Sequence, residues 1–154
     1  MNENKINLNK DDDVKPNINL FNSSVKDTIA RFCNPSFNFR GAPNSTYCNK
    51  LYNLSNIDKI KRTLKFVCDG YNYYLRHNKP AILSVALEII STSSSIKAYN
   101  DFMKTINYVN EQVKFKGIDN YANELLHANN GNVLGNIFFS ANMLYCYQDE
   151  WKKR

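Results

Sequence analysis

Residues 132–148, "NVLGNIFFSANMLYCYQ", constrain the fold more than any other segment, because they are largely apolar and carry no formal charge. Apolar side chains recur every three or four positions, as on one face of an α-helix: Leu134, Ile137, Phe138, Ala141, Leu144 and Tyr145. Four more widen that face to most of the circumference: Val133, Phe139, Met143 and Cys146. A helix that is apolar on most sides has to be surrounded by other elements. The segment therefore predicts a helix at the centre of a core.

Polar residues within this segment argue against a membrane span. Asn132, Asn136, Ser140 and Asn142 interrupt it, and the chain has no run of about 20 predominantly apolar residues, which a span needs. The opening residues, "MNENKINLNKDDD", lack the apolar region of a secretory signal. Without export, the four cysteines should stay reduced. We expect a cytoplasmic, intracellular protein with no membrane span.

Capping patterns predict two helices in the first half of the chain. Ser24 and Asp27 have the spacing of a capping box, which predicts a helix over 25–33. A second helix begins after Ser55, with Asp58 at its third position. One stripe of this second helix is apolar: Ile60, Leu64, Val67, Cys68, Tyr71 and Leu75. The second helix ends at "HNKP", because the residue before a proline resists helical dihedral angles.

The middle of the chain contains one ambiguous segment. Residues 80–90, "PAILSVALEII", are apolar nearly all round, and their periodicity leaves helix and strand both open. We favour a helix, because a lone buried strand would have no partner to pair with. Ser95 is a candidate cap for a further helix that Gly117 closes. A short helix over 120–128, capped by Asp119, precedes the central helix.

These elements predict an all-α protein, a compact five- or six-helix bundle with a flexible polar N-terminal tail. Residues 1–20 are polar and poor in apolar side chains, which predicts a disordered or loosely attached tail. Residues 21–154 contain no internal repeat and no linker, so they predict a single helical domain. A chain of 154 residues is long enough to bury a core without disulfides or metals.

Enzyme chemistry is difficult to assemble from this sequence. It contains no P-loop and no G-x-G-x-x-G, H-E-x-x-H or G-x-S-x-G motif. Cys68 and His77 are nine residues apart on one predicted helix, and about 13 Å at 1.5 Å per residue is too far for a hydrogen bond. No C-x-x-C pair occurs, so we expect no metal site. We also expect no cofactor, and an enzyme is the less favoured class.

The net charge of +6 and the pI near 9.1 suggest a second class of function. Only "KIKRTLK" concentrates this charge, and it supplies Lys59, Lys61, Arg62 and Lys65. Such side chains can contact phosphates while neighbouring tyrosines stack on bases. A lysine-rich solvated surface would give the same composition. A basic nucleic-acid-binding protein is therefore one alternative function.

Two short segments, "NGNVLGNIFF" and "LKFVCD", resemble motifs of one family. The first is similar to the BH1 motif of Bcl-2-like apoptosis regulators, and the second resembles their BH3 pattern. The matching positions are Gly131, Gly135 and Ile137 in the first segment and Leu64 and Asp69 in the second. The family has an arginine, which pairs with a ligand's aspartate, where this sequence has Asn136, and a tryptophan where it has Leu134. The resemblance implies, as a further alternative, a divergent viral-type apoptosis regulator.

The absence of catalytic motifs favours a small non-enzymatic binding or regulatory protein that acts through a helical surface on a protein partner. Its contacts should come from the second helix and the central helix, whose core stripes leave some apolar or aromatic residues unassigned. The candidate contacts are Leu64, Phe66, Asp69, Tyr73 and Phe139. If Phe66 and Tyr73 lie on such a surface, serine at both positions should leave thermal unfolding nearly unchanged.

Overall fold

The protein is built from α-helices over the residues that its structure describes. The computed structural model describes residues 23–37, 47–77 and 96–146, without the side chains of 74–77, 96–99 and 146. The elements in chain order are α1 (Val25–Phe32), a 3₁₀ helix (Cys48–Leu51), α2 (Asn56–His77), α3 (Ile96–Lys116), α4 (Ile118–Leu126) and α5 (Asn132–Cys146). These ranges contain no strand, and the predicted all-α class is confirmed.

Some predictions fall outside the described residues. These are the tail over 1–20, the apolar segment 80–90, the cap at Ser95 and the end of the central helix beyond 146. The total of five or six helices depends on 80–90, so that count stays a prediction.

The predicted caps of α1 and α2 are both confirmed. The Ser24 side-chain oxygen accepts a hydrogen bond from the Asp27 backbone N–H at 3.0 Å. The Ser55 side-chain oxygen accepts one from the Asp58 N–H at 3.3 Å. Each cap satisfies an N–H that has no partner within its helix, which stabilises a helix by about 1 kcal/mol. Both helix starts are therefore fixed by neighbouring residues in the sequence.

Gly117 ends α3 and also begins α4. Its N–H donates to the Val113 carbonyl at 2.8 Å, and its own carbonyl accepts from the Tyr121 N–H at 3.0 Å. Its φ of 87° lies in the left-handed region that favours glycine. The prediction that Gly117 closes a helix is confirmed. The prediction that Asp119 caps the next helix is wrong, because Gly117 is the N-cap and Asp119 lies in the first turn of α4.

Helix α5 is the buried centre that its apolar circumference predicts. Five of its large apolar side chains are at most 2 % exposed: Leu134, Ile137, Phe138, Met143 and Leu144. It contacts α1, α2, α3 and the 3₁₀ helix, while α2 contacts α3, α4, α5 and the 3₁₀ helix. The core therefore lies around these two helices. None of the helices in the described ranges is long and apolar enough to cross a membrane.

A close approach between α1 and the turn before α5 requires a glycine at position 131. The Gly131 N–H donates to the Ser23 carbonyl at 2.7 Å. A Cβ at this position would lie 2.9 Å from the Ser24 carbonyl oxygen and would clash with the Thr28 side chain. This contact seats the N-terminus of α1 against α5.

Candidate protein-binding site

Three aromatic rings from separate parts of the chain meet beside α2, and we call them the aromatic edge: Tyr47, Phe66 and Tyr145. The Tyr47 and Phe66 rings stack, with 4.4 Å between centroids and 13° between planes. The Tyr145 ring is tilted against both, at 5.6 Å from Tyr47 and 6.2 Å from Phe66. All three side chains are half-buried. Tyr47 and Phe66 pack against the core, and all three side chains remain partly exposed to solvent.

A buried amide holds Tyr47 in this position. Asn142 on α5 is 0 % exposed. Its side-chain oxygen accepts hydrogen bonds from the backbone N–H groups of Tyr47 at 2.8 Å and Cys48 at 3.0 Å. The first N–H groups of a helix have no partner within it, so this oxygen caps the 3₁₀ helix from a distant element. The aromatic edge is therefore positioned by the core and is not a chance contact of flexible side chains.

Two rigidly buried thiols lie behind the aromatic edge. Cys33 is 4 % exposed and Cys48 is 0 % exposed. Burial raises the pKa of Cys33 to about 12, although Lys59 partly opposes it. Burial, and then the neighbouring Cys33, raises the pKa of Cys48 well above its usual value. Because a thiolate is the reactive form of cysteine, neither thiol is suited to nucleophilic catalysis at neutral pH.

Two exposed cations lie at the rim of the aromatic edge. Lys50 Nζ lies 5.6 Å from the centroid of the Tyr145 ring, a cation–π contact worth about 0.5–1 kcal/mol at an exposed site. Arg62 is joined to the cluster through its backbone, since the Tyr47 hydroxyl donates to the Arg62 carbonyl at 3.3 Å. Burial raises the pKa of Tyr47 to about 12, and the Arg62 charge acts in the opposite direction. The rim is therefore positively charged.

Three of the five predicted partner contacts lie on or near one side of α2. Phe66 belongs to the aromatic edge. Tyr73 follows it by seven residues, which places it within about 20° of Phe66 around the helix. It is also half-buried, and Asp69 between them is exposed. The structure therefore brings Phe66, Asp69 and Tyr73 together along this side.

The other two predicted contacts do not join this surface. Leu64 is 0 % exposed and belongs to the hydrophobic core, so its selection as a surface contact is corrected. Its place at the centre of the apolar stripe explains the burial. Phe139 is half-buried on α5. It lies six residues before Tyr145, about a third of a turn away around the helix. It therefore faces a different side of α5 from the aromatic edge.

Two ion pairs lie farther around the exposed surface of α2, and we call them the charged edge: Lys61 with Asp119 of α4, and Lys65 with Asp69. Asp69 lies about 40° from both Tyr73 and Lys65 around the helix, so it borders both sides. Lys61 Nζ lies 3.2 Å from an Asp119 carboxylate oxygen on α4. Lys65 Nζ lies 2.9 Å from an Asp69 carboxylate oxygen one turn along α2. Two of the four predicted nucleic-acid contacts are therefore partly neutralised by carboxylates of the same molecule.

The four predicted nucleic-acid contacts are spread over a wide arc of α2. Lys59 and Lys61, two positions apart, lie about 160° apart around the helix. The Lys59 amine lies 3.5 Å from the side-chain oxygen of Asn56. Arg62 and Lys65 are exposed on the outer side of the helix between them. The positive charges are thus divided between the aromatic edge and the charged edge.

The residues at the positions that resemble Bcl-2-like motifs are buried or contact other residues of this chain. Gly131 makes the close contact with α1. Asn136, at the family's arginine position, is 4 % exposed, and Leu134, at the tryptophan position, is 1 % exposed. Neither side chain is at the surface. Asp69, from the second motif, pairs with Lys65 of its own helix.

One further aromatic side chain is unusually exposed. Phe115 near the end of α3 is 86 % exposed, and among the described residues no aromatic contact of its ring is found. It lies opposite the core-facing side of α3, because it follows the fully buried Ile106 by nine positions, about 180° around the helix.

Comparisons of the chain with known protein families, curated proteins and solved structures found no match. The function therefore has to be argued from the site itself. Within 23–37, 47–77 and 96–146, no group of three or more His, Cys, Asp or Glu side chains could hold a metal ion.

Sequence reasoning missed Tyr47, Lys50 and Asn142. Tyr47 follows a segment with two prolines and a glycine, which reads as a loop, and the 3₁₀ helix after it is only four residues long. Asn142 is one of 25 asparagines in the chain. The sequence offered one signal for Asn142, which is a polar residue within the most apolar helix. A buried amide needs a hydrogen-bond partner, so this position could have been expected to contact another segment.

Proposed function

We propose that this chain is a non-enzymatic binding protein that regulates a protein partner through the aromatic edge and the adjoining side of α2. The observation that carries the proposal is the geometry of Tyr47, Phe66 and Tyr145. These rings come from three parts of the chain, and all three side chains keep part of their surface exposed. The buried Asn142 amide holds the backbone of Tyr47. Aromatic side chains in a preorganised position are the usual anchors of protein interfaces.

A protein partner suits this site better than a nucleic acid. Base stacking needs free ring faces, but Tyr47 and Phe66 cover one face of each other and Lys50 lies over the Tyr145 ring. Phosphate binding needs available cations, and two of the four predicted contacts, Lys61 and Lys65, are paired with carboxylates. The nucleic-acid and Bcl-2-like alternatives stay predictions, and neither gains support from the geometry of these residues.

Site-specific photo-crosslinking tests the proposal. Benzoylphenylalanine placed at Tyr73 replaces one aromatic side chain with another beside the aromatic edge. The full chain, cross-linked in cells of its source, should yield a discrete protein adduct. The captured protein should then bind the purified wild-type chain.

The matched control is benzoylphenylalanine at Phe115, which is exposed but lies on another helix. It should give no adduct of the same mass. Equal adducts at both positions would show nonspecific capture. A nucleic-acid adduct at position 73, or the absence of any adduct there, would contradict the proposal.

A further inference from the structure

We propose that the aromatic edge recognises an acidic segment of its protein partner, in which an aromatic or large aliphatic side chain is flanked by carboxylates. This inference rests on the proposed function and adds the chemistry of the partner. It is carried by the juxtaposition of partly exposed rings with the cations Lys50 and Arg62.

The three aromatic rings would contact the apolar side chain of the partner segment. Tyr47, Phe66 and Tyr145 belong to three parts of the chain and leave a shared surface that is only partly covered. Because the core fixes the rings, binding an apolar side chain there would cost little ordering of this chain. A single large apolar side chain matches a patch formed by three rings.

The preference for carboxylates in the partner segment comes from the charge balance around the rings. Lys50 and Arg62 are both exposed at the rim. Among the described residues, the carboxylate that acts on Tyr47 is that of Asp69, and its effect is smaller than that of Arg62. Asp69 is itself paired with Lys65 at 2.9 Å. Counted over the described residues, the patch therefore has a net positive charge, which attracts carboxylates and repels lysine-rich segments.

The probe for a direct test is a short fluorescein-labelled peptide with a central phenylalanine and leucine between pairs of glutamates. Two matched peptides carry lysines in place of the glutamates or serines in place of the apolar pair. Anisotropy titrations with the full chain should show binding of the acidic apolar peptide and at least about tenfold weaker binding of the other two.

Charge reversal at Lys50 and Arg62 tests whether the peptide binds at the aromatic edge. The double variant Lys50→Glu/Arg62→Glu should bind the acidic peptide about tenfold more weakly than wild type, since two attractions become repulsions. The control Lys114→Glu removes the same kind of charge from an exposed position on α3 and should bind as wild type does. Both variants should keep the wild-type melting temperature within a few degrees, because the altered side chains are exposed.

Several results would overturn the inference: no peptide binding, equal binding of acidic and basic peptides, or wild-type affinity in the Lys50→Glu/Arg62→Glu variant. The chain itself contains an acidic triplet, so the full-length variant Asp11→Asn/Asp12→Asn/Asp13→Asn is a further arm. Peptide binding that tightens about tenfold in this variant would identify the chain's own segment as the occupant, against a partner.

The same charge variants separate failure of this inference from failure of the proposed function. A protein adduct at position 73 that forms equally well with Lys50→Glu/Arg62→Glu would keep the protein-binding function and reject an acidic partner. Loss of the adduct in that variant, but not in Lys114→Glu, is the result we expect.

Discussion

The two sides of α2 hold their side chains in different ways. On the aromatic edge, Phe66 packs against rings from the start of the 3₁₀ helix and the end of α5. On the charged edge, Lys61 and Lys65 pair with carboxylates on solvent-exposed positions, and the Asp119 side chain is 77 % exposed. The aromatic side depends on the tertiary fold, whereas the charged side depends mostly on nearby surface charges.

The residues that are conspicuous in the sequence are therefore not the residues that form the candidate site in the structure. The basic run was the clearest local signal in the sequence, yet water screens its ion pairs. The aromatic edge gave almost no local signal, but its rings are fixed and partly desolvated. A preorganised apolar patch with a charged rim can bind more specifically than lysines in solvent-screened ion pairs.

The largest expected effect is at the amide that holds the aromatic edge together. Asn142→Ala removes the acceptor of two backbone hydrogen bonds, from Tyr47 and Cys48. It should lower the free energy of unfolding by about 2–4 kcal/mol, because unpaired buried N–H groups are costly. Urea unfolding followed by circular dichroism measures the change.

The control for this variant is Asn123→Ala, at an exposed position of α4. It should alter the free energy of unfolding by less than about 0.5 kcal/mol. If Asn142→Ala proved as stable as Asn123→Ala, the amide would not hold the 3₁₀ helix, and the edge would lose its structural basis.

A smaller loss is expected when a ring is removed from the edge itself. Phe66→Ala should lower the free energy of unfolding by about 2 kcal/mol, roughly half of the cost for a fully buried phenylalanine. Phe115→Ala should change it by less than about 0.5 kcal/mol, because that ring is 86 % exposed. This differs from the sequence-based expectation that Phe66 could be replaced without thermal effect.

Thermal unfolding of Phe66→Ala and Phe115→Ala tests whether the Phe66 ring contributes to stability. Equal melting temperatures for Phe66→Ala and Phe115→Ala would mean that the stacking between Tyr47 and Phe66 contributes no stability. The edge would then be a loose surface feature.

Alkaline pH should weaken the aromatic edge through Tyr47. Burial raises the pKa of its phenol to about 12 in the folded protein, from a usual value of 10.0. The unfolded chain therefore releases this proton at lower pH. The stability contributed by the neutral phenol is complete below about pH 10 and is lost as the pH rises to about 12.

Urea unfolding at about pH 8 and about pH 11 should show a smaller loss of stability for Tyr47→Phe than for wild type. Cys33 and Cys48 also have raised pKa values in both proteins, so the difference reports the Tyr47 phenol together with its electrostatic interaction with these thiols. Identical losses would show that Tyr47 is not desolvated in this cluster.

The smallest effects are expected on the charged edge. Lys61→Gln and Lys65→Gln should each change the free energy of unfolding by less than about 1 kcal/mol, because both ion pairs are solvent-exposed. The difference should shrink further in high salt. A loss above about 2 kcal/mol for either variant would reverse our ranking of the two edges.

The sequence predicts those parts of the fold that depend on neighbouring residues. Ser24 and Ser55 cap their own helices, and the apolar circumference of α5 requires a central position. The Asp119 cap was wrong because a left-handed glycine two residues earlier serves both helices. The sequence alone did not show that one glycine could both end α3 and cap α4.

The candidate site was only partly predictable, because its residues meet through the tertiary fold. Phe66 and Tyr73 could be selected from the helical stripe of α2. Tyr47 and Asn142 are 95 positions apart in sequence, and no local pattern joins them. Leu64 was misassigned although helical spacing already places it at the centre of the apolar stripe, so its burial was predictable from the sequence.

Hydrogen–deuterium exchange of the full chain, alone and with the partner purified through the position-73 adduct, tests the central claim most directly. We predict that the partner slows exchange over 47–51 and 62–73 and leaves 111–117 unchanged. Protection confined to 111–117, or unchanged exchange over 47–51, would contradict binding through the aromatic edge.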